Sequence, residues 1–148
     1  MIEKFRPEDF KTEFKAVGCL LEYDARVLFL QRSDDAKVEP GKWGHPAGKV
    51  EVLDDCLESA VLREVREETG LDLEREGLFH WGVMYVRYPE FDFEYHVYRC
   101  NLNPLGSEPE VRLSKEHKGK VWETVDRAIS SLDLMRDEAT CLKMVYGL

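Results

Sequence analysis

The chain has 148 residues, of which 43% are hydrophobic, a length and composition typical of one folded domain rather than of a disordered chain. Its 30 acidic residues outnumber the 21 Lys and Arg residues, and the formal charge is −9. This excess argues against a nucleic-acid duplex or an anionic membrane surface as the main partner, because both attract basic proteins.

The same composition bears on where the protein resides. No apolar run approaches the roughly 20 residues of a membrane span, and residues 1–15 lack the apolar centre of a signal peptide. Four dispersed cysteines form no C-x-x-C pair, which indicates neither a zinc site nor a disulfide framework. We therefore expect a single cytoplasmic domain over residues 1–148.

Strand signals separated by turn residues organise most of the chain. Asp24 and Ala25 predict a turn between the first two strands, and residues 89–92 predict one between the next two. Residues 33–50 and 101–119 carry the glycines and prolines typical of long loops. The predicted strands lie at 16–21, 27–30, 79–88, 93–100 and 120–122, and one or two helices lie within 125–146.

A central helix is predicted from Cys56 to Thr69, and both of its ends carry signals. Asp55 is a good N-cap, and Glu58 three residues later completes a capping box. Gly70 supplies a C-terminal stop. Strands combined with a central and a terminal helix predict a layered α/β or α+β domain.

The acidic residues of this helix lie in an unusual position. At about 100° per residue, Glu64 and Glu68 fall at the edge of the apolar stripe, and Glu67 falls just outside it. The stripe consists of Leu57, Val61 and Val65. Like charges at i and i+4 repel each other, and a divalent cation such as Mg²⁺ or Mn²⁺ would remove that repulsion. The alternative, a solvated face with an Arg63–Glu67 salt bridge, stays open on helix geometry alone.

The sequence around this helix resembles the Nudix hydrolase (MutT-like) family, whose signature is G-x5-E-x7-R-E-U-x-E-E-x-G-U, with U a bulky aliphatic residue. Residues 63–71 read R-E-V-R-E-E-T-G-L and match the second half position for position. Counting back from Arg63 places the family's first Glu at Asp55, so Gly48 matches only with one residue inserted between them. The preceding W-G-H-P-A-G-K-V-E at 43–51 resembles the family's W-x-x-P-x-G-K-x-E.

This resemblance implies an α/β/α sandwich around a mixed β-sheet and a metal-dependent hydrolase that uses Mg²⁺ or Mn²⁺. Carried over residue by residue, it implies metal ligands at Glu64, Glu68, Glu67 and, through its backbone carbonyl, Gly48. Arg63 would orient these acids by ion pairing. Many members supply another Glu before a late Trp-containing strand, and Glu116 ahead of Trp122 matches that position. Either Glu67 or Glu116 would then take the proton of the attacking water.

Residues that could hold the substrate flank the same segment. Arg32, Lys42 and Lys49 border the loop and could bind phosphates, although ordinary surface charge is their more common role. Trp43 is a candidate to stack on a nucleobase, with core packing as the alternative. The other aromatic candidates, with the same alternative, are Tyr85, Tyr88, Phe91, Phe93 and Tyr95. The histidines are interpreted as hydrogen-bonded or surface residues, namely His45, His80, His96 and His117.

The resemblance implies a small-molecule nucleotide substrate with a diphosphate linkage. A nucleoside triphosphate cleaved to monophosphate and pyrophosphate fits the short chain best. The alternatives are a nucleotide sugar of the ADP-ribose type and a catalytically silent nucleotide-binding module, which the departure at Asp55 keeps open. The sequence leaves the oligomeric state open, a homodimer included.

Overall fold

The apolar runs near the start of the chain form central strands of a mixed sheet, because both of their faces are covered by other elements. The computed structural model describes residues 1–148. The strands are β1 (Ile2–Glu3), β2 (Phe14–Tyr23), β3 (Arg26–Arg32), β4 (Trp43–Gly44), β5 (Ala47–Lys49), β6 (Leu78–Arg87), β7 (Asp92–Asn101) and β8 (His117–Glu123). The helices are α1 (Leu57–Thr69), α2 (Val125–Ser131) and α3 (Glu138–Tyr146). None of these helices has the length and apolar character needed to cross a membrane.

Eight strands make up the sheet, in the order β1-β6-β7-β2-β3-β4, with β5 paired to β2 and β8 paired to β3. β2 and β7 run parallel, and the other strand pairings are antiparallel. Helix α1 packs on one face, while α2 and α3 pack on the other. The predicted α/β/α sandwich around a mixed β-sheet is therefore confirmed.

The alternation of side chains along β2 fills both layers of the core. Val17, Cys19 and Leu21 are buried on the face that α1 covers. Leu20 is buried on the opposite face, against residues of α2 and α3 such as Leu142. The continuous apolar run is explained by this double burial, since a strand with one solvated face would alternate with polar residues.

Strands β2 and β3 pair only beside their hairpin turn and then diverge. The paired residues are Glu22 with Val27 and Tyr23 with Arg26. Residues 43–49, which we call the strap, fill the gap beyond this point, with β4 on β3 and β5 on β2. The predicted loop over 33–50 thus contains two short strands, which its glycines and prolines obscured.

Helix α1 begins differently from the prediction and ends as predicted. The N-cap is Cys56, whose side chain makes no capping hydrogen bond. Asp55 is exposed and one residue too early, and Glu58 accepts a hydrogen bond from the Tyr98 hydroxyl instead of closing a capping box. The predicted cap at Asp55 is therefore wrong. Gly70 adopts the left-handed conformation at φ 76° and donates its N–H to the Arg66 carbonyl, as a C-terminal stop should.

The packing of β3 against α1 gives a direct test of the core. Leu28 is fully buried, whereas Leu53 is 92% exposed. We expect Leu28→Ala to lower the free energy of unfolding by about 2–5 kcal/mol, because it removes buried contacts and leaves a cavity. The matched Leu53→Ala variant should change it by less than about 0.5 kcal/mol. Urea denaturation measures both, and equal losses would contradict the assigned core.

Candidate active site

Arg63 holds acidic residues of α1 and of the segment just before it. Its Nε and Nη2 atoms donate to the two carboxylate oxygens of Asp54, each at 2.9 Å. Nη2 also donates to the Lys49 carbonyl at 3.0 Å, and Nη1 donates to Glu64 at 2.9 Å. The Asp54 side chain is only 6% exposed. This two-pronged pair lowers the pKa of the Asp54 carboxyl below its usual value.

These contacts assign the first acidic position of the signature to Asp54 instead of Asp55. Asp54, not Asp55, pairs with Arg63, and it follows Gly48 at the spacing G-x5-D. The extra residue therefore lies between Asp54 and Arg63, where the helix begins, and not in the loop before the acid. Residue counting from Arg63 missed this because it assumed that the second half of the spacing was intact.

Glu68 is a buried carboxylate beneath the strap. It is 6% exposed, and one of its oxygens accepts a hydrogen bond from the Ala47 N–H at 3.0 Å. Burial raises the pKa of Glu68 to about 8, and the nearby charge of Glu64 adds to the effect. A cation bound beside this carboxylate would favour its ionised form and lower its pKa.

Glu64 lies against the backbone of the strap. A Cβ atom at Gly48 would overlap the Glu64 carboxylate, so only glycine allows this approach. Burial raises the pKa of Glu64, although Arg63 opposes the shift. Glu67 lies further out, with a side chain that is 56% exposed and 3.3 Å from Arg63. The structure thus brings Glu64, Glu68 and the Gly48 backbone together and leaves Glu67 at the rim.

Glu116 and His117 approach the same place from the start of β8. One ligand atom each from Glu68, Glu116 and His117 lies within 4.8 Å of the others. The Glu116 carbonyl accepts a hydrogen bond from the Ser33 N–H at 2.9 Å, which fixes this segment beside the end of β3. Burial, with a contribution from Arg32, lowers the pKa of His117 to about 4, so its ring is neutral at physiological pH. The sequence interpretation of His117 as a hydrogen-bonded or surface residue missed this placement.

A cavity of about 300 Å³ opens beside Glu68. Arg32, Lys49 and Gly48 line it, as does His117. Its aromatic walls are Phe14, Tyr88, Phe91, Phe93 and Tyr95. Four of the aromatic stacking candidates therefore reach the cavity.

Three of the residues proposed to contact substrate do not reach this cavity. Trp43 packs into the core on the side of α2 and α3, because its side chain projects from the strap to that face. Tyr85 packs edge-on against Phe10 at 5.3 Å. The Lys42 ammonium pairs with Asp133 at 2.8 Å. Trp43 thus makes the core contacts that were its alternative role, and base stacking by Trp43 stays a prediction.

A buried polar chain fastens the strap to α3. His45 Nδ1 lies 2.6 Å from a Glu138 carboxylate oxygen, which also accepts the His45 N–H at 3.2 Å. With Nδ1 as donor, Nε2 accepts a hydrogen bond from the Tyr95 hydroxyl. Gly18 makes room for this pair, because a Cβ there would overlap the Tyr95 hydroxyl.

The NUDIX domain family matches residues 12–143 of the chain. The chain belongs to the NUDIX domain family.

This NUDIX chain is similar to one human protein in sequence and to several solved structures in fold. It is 34% identical over 86 residues to the human m7GpppN-mRNA hydrolase NUDT17, a stretch that covers 56% of this chain and 26% of that protein. It superposes with a TM-score of 0.77 and 24% identity on the MutT protein from Methanosarcina mazei Go1, covering 93% of this chain and 95% of that one. It also superposes on the NUDIX domain of Shewanella oneidensis NrtR, complexed with ADP ribose. The TM-score is 0.74 and the identity is 20%, covering 97% of this chain and 92% of that one. The matches to the curated relatives span 26% and 36% of their length.

The relocated acid of this NUDIX domain is testable by a pair of neighbouring variants. We expect Asp54→Asn to lower the free energy of unfolding by about 1–3 kcal/mol, because it leaves the Arg63 guanidinium without its charged acceptor. Asp55→Asn, on an exposed side chain, should change it by less than about 0.5 kcal/mol. Denaturant titration at neutral pH measures both. If Asp55→Asn lowered the free energy of unfolding more than Asp54→Asn, Asp55 would be the acid of the signature after all.

Glu68 predicts a pH dependence for the metal-free protein. Its folded pKa of about 8 exceeds that of an unfolded Glu, so the protonated form stabilises the fold. That contribution is complete below the unfolded pKa and is lost as the pH rises through about 8. We expect the free energy of unfolding, measured with a chelator present, to fall by a few kcal/mol between about pH 5 and about pH 9, and to fall less in Glu68→Gln. Equal declines in both proteins would count against a raised pKa at Glu68.

Proposed function

We propose that this NUDIX protein hydrolyses the diphosphate linkage of a nucleoside diphosphate derivative with the help of Mg²⁺ or Mn²⁺. The observation that carries the proposal is the convergence of Glu64, Glu68, Glu116 and the Gly48 backbone at one end of an aromatic cavity. The cavity suits a planar base, and the acidic end suits the cations that accompany a polyphosphate.

The residues present fit a hard divalent cation. Glu64 and Glu68 offer carboxylate oxygens, and burial raises the pKa of both. The absence of a side chain at Gly48 leaves its backbone close to the Glu64 carboxylate. Oxygen donors of this kind are those that Mg²⁺ and Mn²⁺ prefer. Glu68 and Glu64 are therefore our principal ligands, with Glu67 as a candidate further ligand at the rim.

A bound divalent ion would offset the charge of the diphosphate and stabilise the leaving oxygen. The chain supplies the remaining functions. Arg63 holds Glu64 through a hydrogen bond of 2.9 Å and Glu67 through a longer contact. Arg32 and Lys49 line the cavity and can balance phosphate charge. We assign removal of the proton from the attacking water to Glu67 or Glu116, because both carboxylates are exposed at the edge of the acidic cluster, and the one that does not bind the cation is free to accept a proton.

The aromatic end of the cavity supports recognition of a nucleoside. Phe14 and Phe93 stack at 4.8 Å, and the Arg136 guanidinium lies 3.5 Å from the ring centre of Tyr88. The volume of about 300 Å³ lies at the lower end of the range for ligand pockets and suits one base. A nucleoside triphosphate is our first substrate class, and an ADP-ribose type of nucleotide sugar is the second. The names of the human relative and of the Shewanella complex, a cap hydrolase and an ADP ribose complex, support this general chemistry.

A substrate screen tests the proposal directly. Nucleoside triphosphates and nucleotide sugars would be incubated with the protein and Mg²⁺ or Mn²⁺, with the products identified by mass. Water labelled with heavy oxygen identifies the phosphorus that is attacked. We expect a monophosphate product only when the metal is present. Nucleotide binding without any turnover would overturn the hydrolase proposal in favour of a silent binding module.

Substitution of Glu68 tests the metal site. We expect Glu68→Gln to lower kcat about 100-fold or more, since even residues that only support metal ligands cost 10–100-fold. The variant should retain the native circular dichroism spectrum. Glu76→Gln, an exposed glutamate outside α1, is the matched control and should keep full activity. Unchanged turnover in Glu68→Gln would contradict the assignment.

The identity of the base is tested by Glu67→Gln and Glu116→Gln in parallel. Loss of the proton acceptor should lower kcat by about 10²–10⁴-fold with little change in KM. The other substitution should act mainly through metal affinity. If both variants retain wild-type kcat, neither residue is the base.

A further inference from the structure

His117 is a half-buried histidine that lines the cavity. Its Nδ1 atom is buried and has no hydrogen-bond partner in the protein. Leaving a buried polar atom without a partner costs free energy. His96 Nδ1 is also buried without a partner, but His96 does not line the cavity. His45 hydrogen-bonds to a carboxylate, and His80 is exposed. The lack of a protein partner for His117 therefore indicates that its ring contacts a bound ion or ligand.

A β-bulge places His117 on the face of the sheet that α1 covers. In the β3–β8 ladder, Gln31 pairs with Gly119, whereas Arg32 pairs with His117, so Lys118 is the extra residue. Residues directly opposite each other in a ladder share a face. In a regular ladder Lys118 would stand opposite Arg32, and His117 would point to the other face.

The bulge also removes the lysine from the site. The Lys118 ammonium pairs instead with Asp34 at 2.7 Å, and its side chain is 42% exposed. A bulge of this kind commonly re-aims a side chain beside a functional site. The fold thus places an imidazole, and not the Lys118 ammonium, beside Glu68 and Glu116.

The three side chains form a mixed set of donors. The imidazole of His117 and one oxygen each from Glu68 and Glu116 lie within 4.8 Å of one another, a separation that a single cation can bridge with small adjustments. Imidazole nitrogen is a softer donor than oxygen, and it suits transition metals better than Mg²⁺. A site of two carboxylates and one imidazole should therefore discriminate between these ions.

We infer that His117 is a nitrogen ligand of a divalent cation held with Glu68 and Glu116, and that it makes this site prefer Mn²⁺ over Mg²⁺. The inference rests on the proposed function, because it concerns the same cation-binding end of the cavity. It adds a ligand that the signature helix does not contain.

Pulsed electron paramagnetic resonance of the Mn²⁺-loaded full chain tests the nitrogen contact directly. We expect hyperfine coupling to a directly bound ¹⁴N nucleus in the wild type. Labelling all histidines with ¹⁵N should convert this signal to that of ¹⁵N, without any substitution. His117→Gln should abolish the coupling, whereas the matched control His80→Gln should retain it. Circular dichroism checks that both variants fold.

Isothermal titration of the metal-free proteins with Mn²⁺ and with Mg²⁺ tests the preference. We expect His117→Gln to weaken Mn²⁺ binding at least tenfold and to change Mg²⁺ binding less, and His80→Gln to change neither. Mn²⁺ bound to the wild type without nitrogen coupling would overturn the inference, while the hydrolase proposal would still be decided by the substrate screen. No binding of either ion would overturn both. Retained coupling in His117→Gln would assign the nitrogen to another residue and overturn the inference.

Discussion

The burial of neighbouring carboxylates is the constraint on which the rest of this structure depends. Glu68 is 6% exposed, and the nearby charge of Glu64 adds to burial in raising its pKa. Burial of this kind is unfavourable unless a positive charge compensates for it. Arg63 compensates only part of the charge, because most of its donors are directed at Asp54 and Glu64. The remaining imbalance is concentrated at the edge of the cavity, where a cation would stabilise it.

The backbone around the cavity creates the space in which these charges meet. Strands β2 and β3 separate after their hairpin turn, and the strap enters between them. The strap supplies the Ala47 N–H for Glu68 and the bare backbone of Gly48 for Glu64. On the far side, the bulge in β8 presents His117. Three separate irregularities of the sheet therefore contribute to one site.

Much of the architecture could be predicted from the sequence, because it depends on local patterns. The two central strands were apparent as apolar runs, and the end of α1 at Gly70 was apparent from the turn chemistry. The position of Glu64 and Glu68 beside the apolar stripe follows from helical periodicity alone. Features that depend on register were not predictable in this way. One extra residue before α1 exchanged the roles of Asp54 and Asp55.

The positions of side chains in the substrate region depend on strand pairing in the same way. Trp43 lies in the strap, and the direction of its side chain depends on how β4 pairs with β3. His117 depends on a bulge that no propensity scale reveals. Successive side chains of β7 lie on opposite faces of the sheet. Phe93 and Tyr95 therefore line the cavity, whereas Tyr98 is buried on the face that α1 covers. Composition identifies such residues as candidates, but pairing decides between them.

The chain of hydrogen bonds from Glu138 through His45 to Tyr95 has a mechanical consequence. It joins the first residue of α3, near the end of the sequence, to the strap that supports Glu68. Fraying of that last helix would release the His45 ring and loosen the amide that braces the carboxylate. Local opening of α3 would thus disturb the geometry of acids some 70 residues earlier in the sequence.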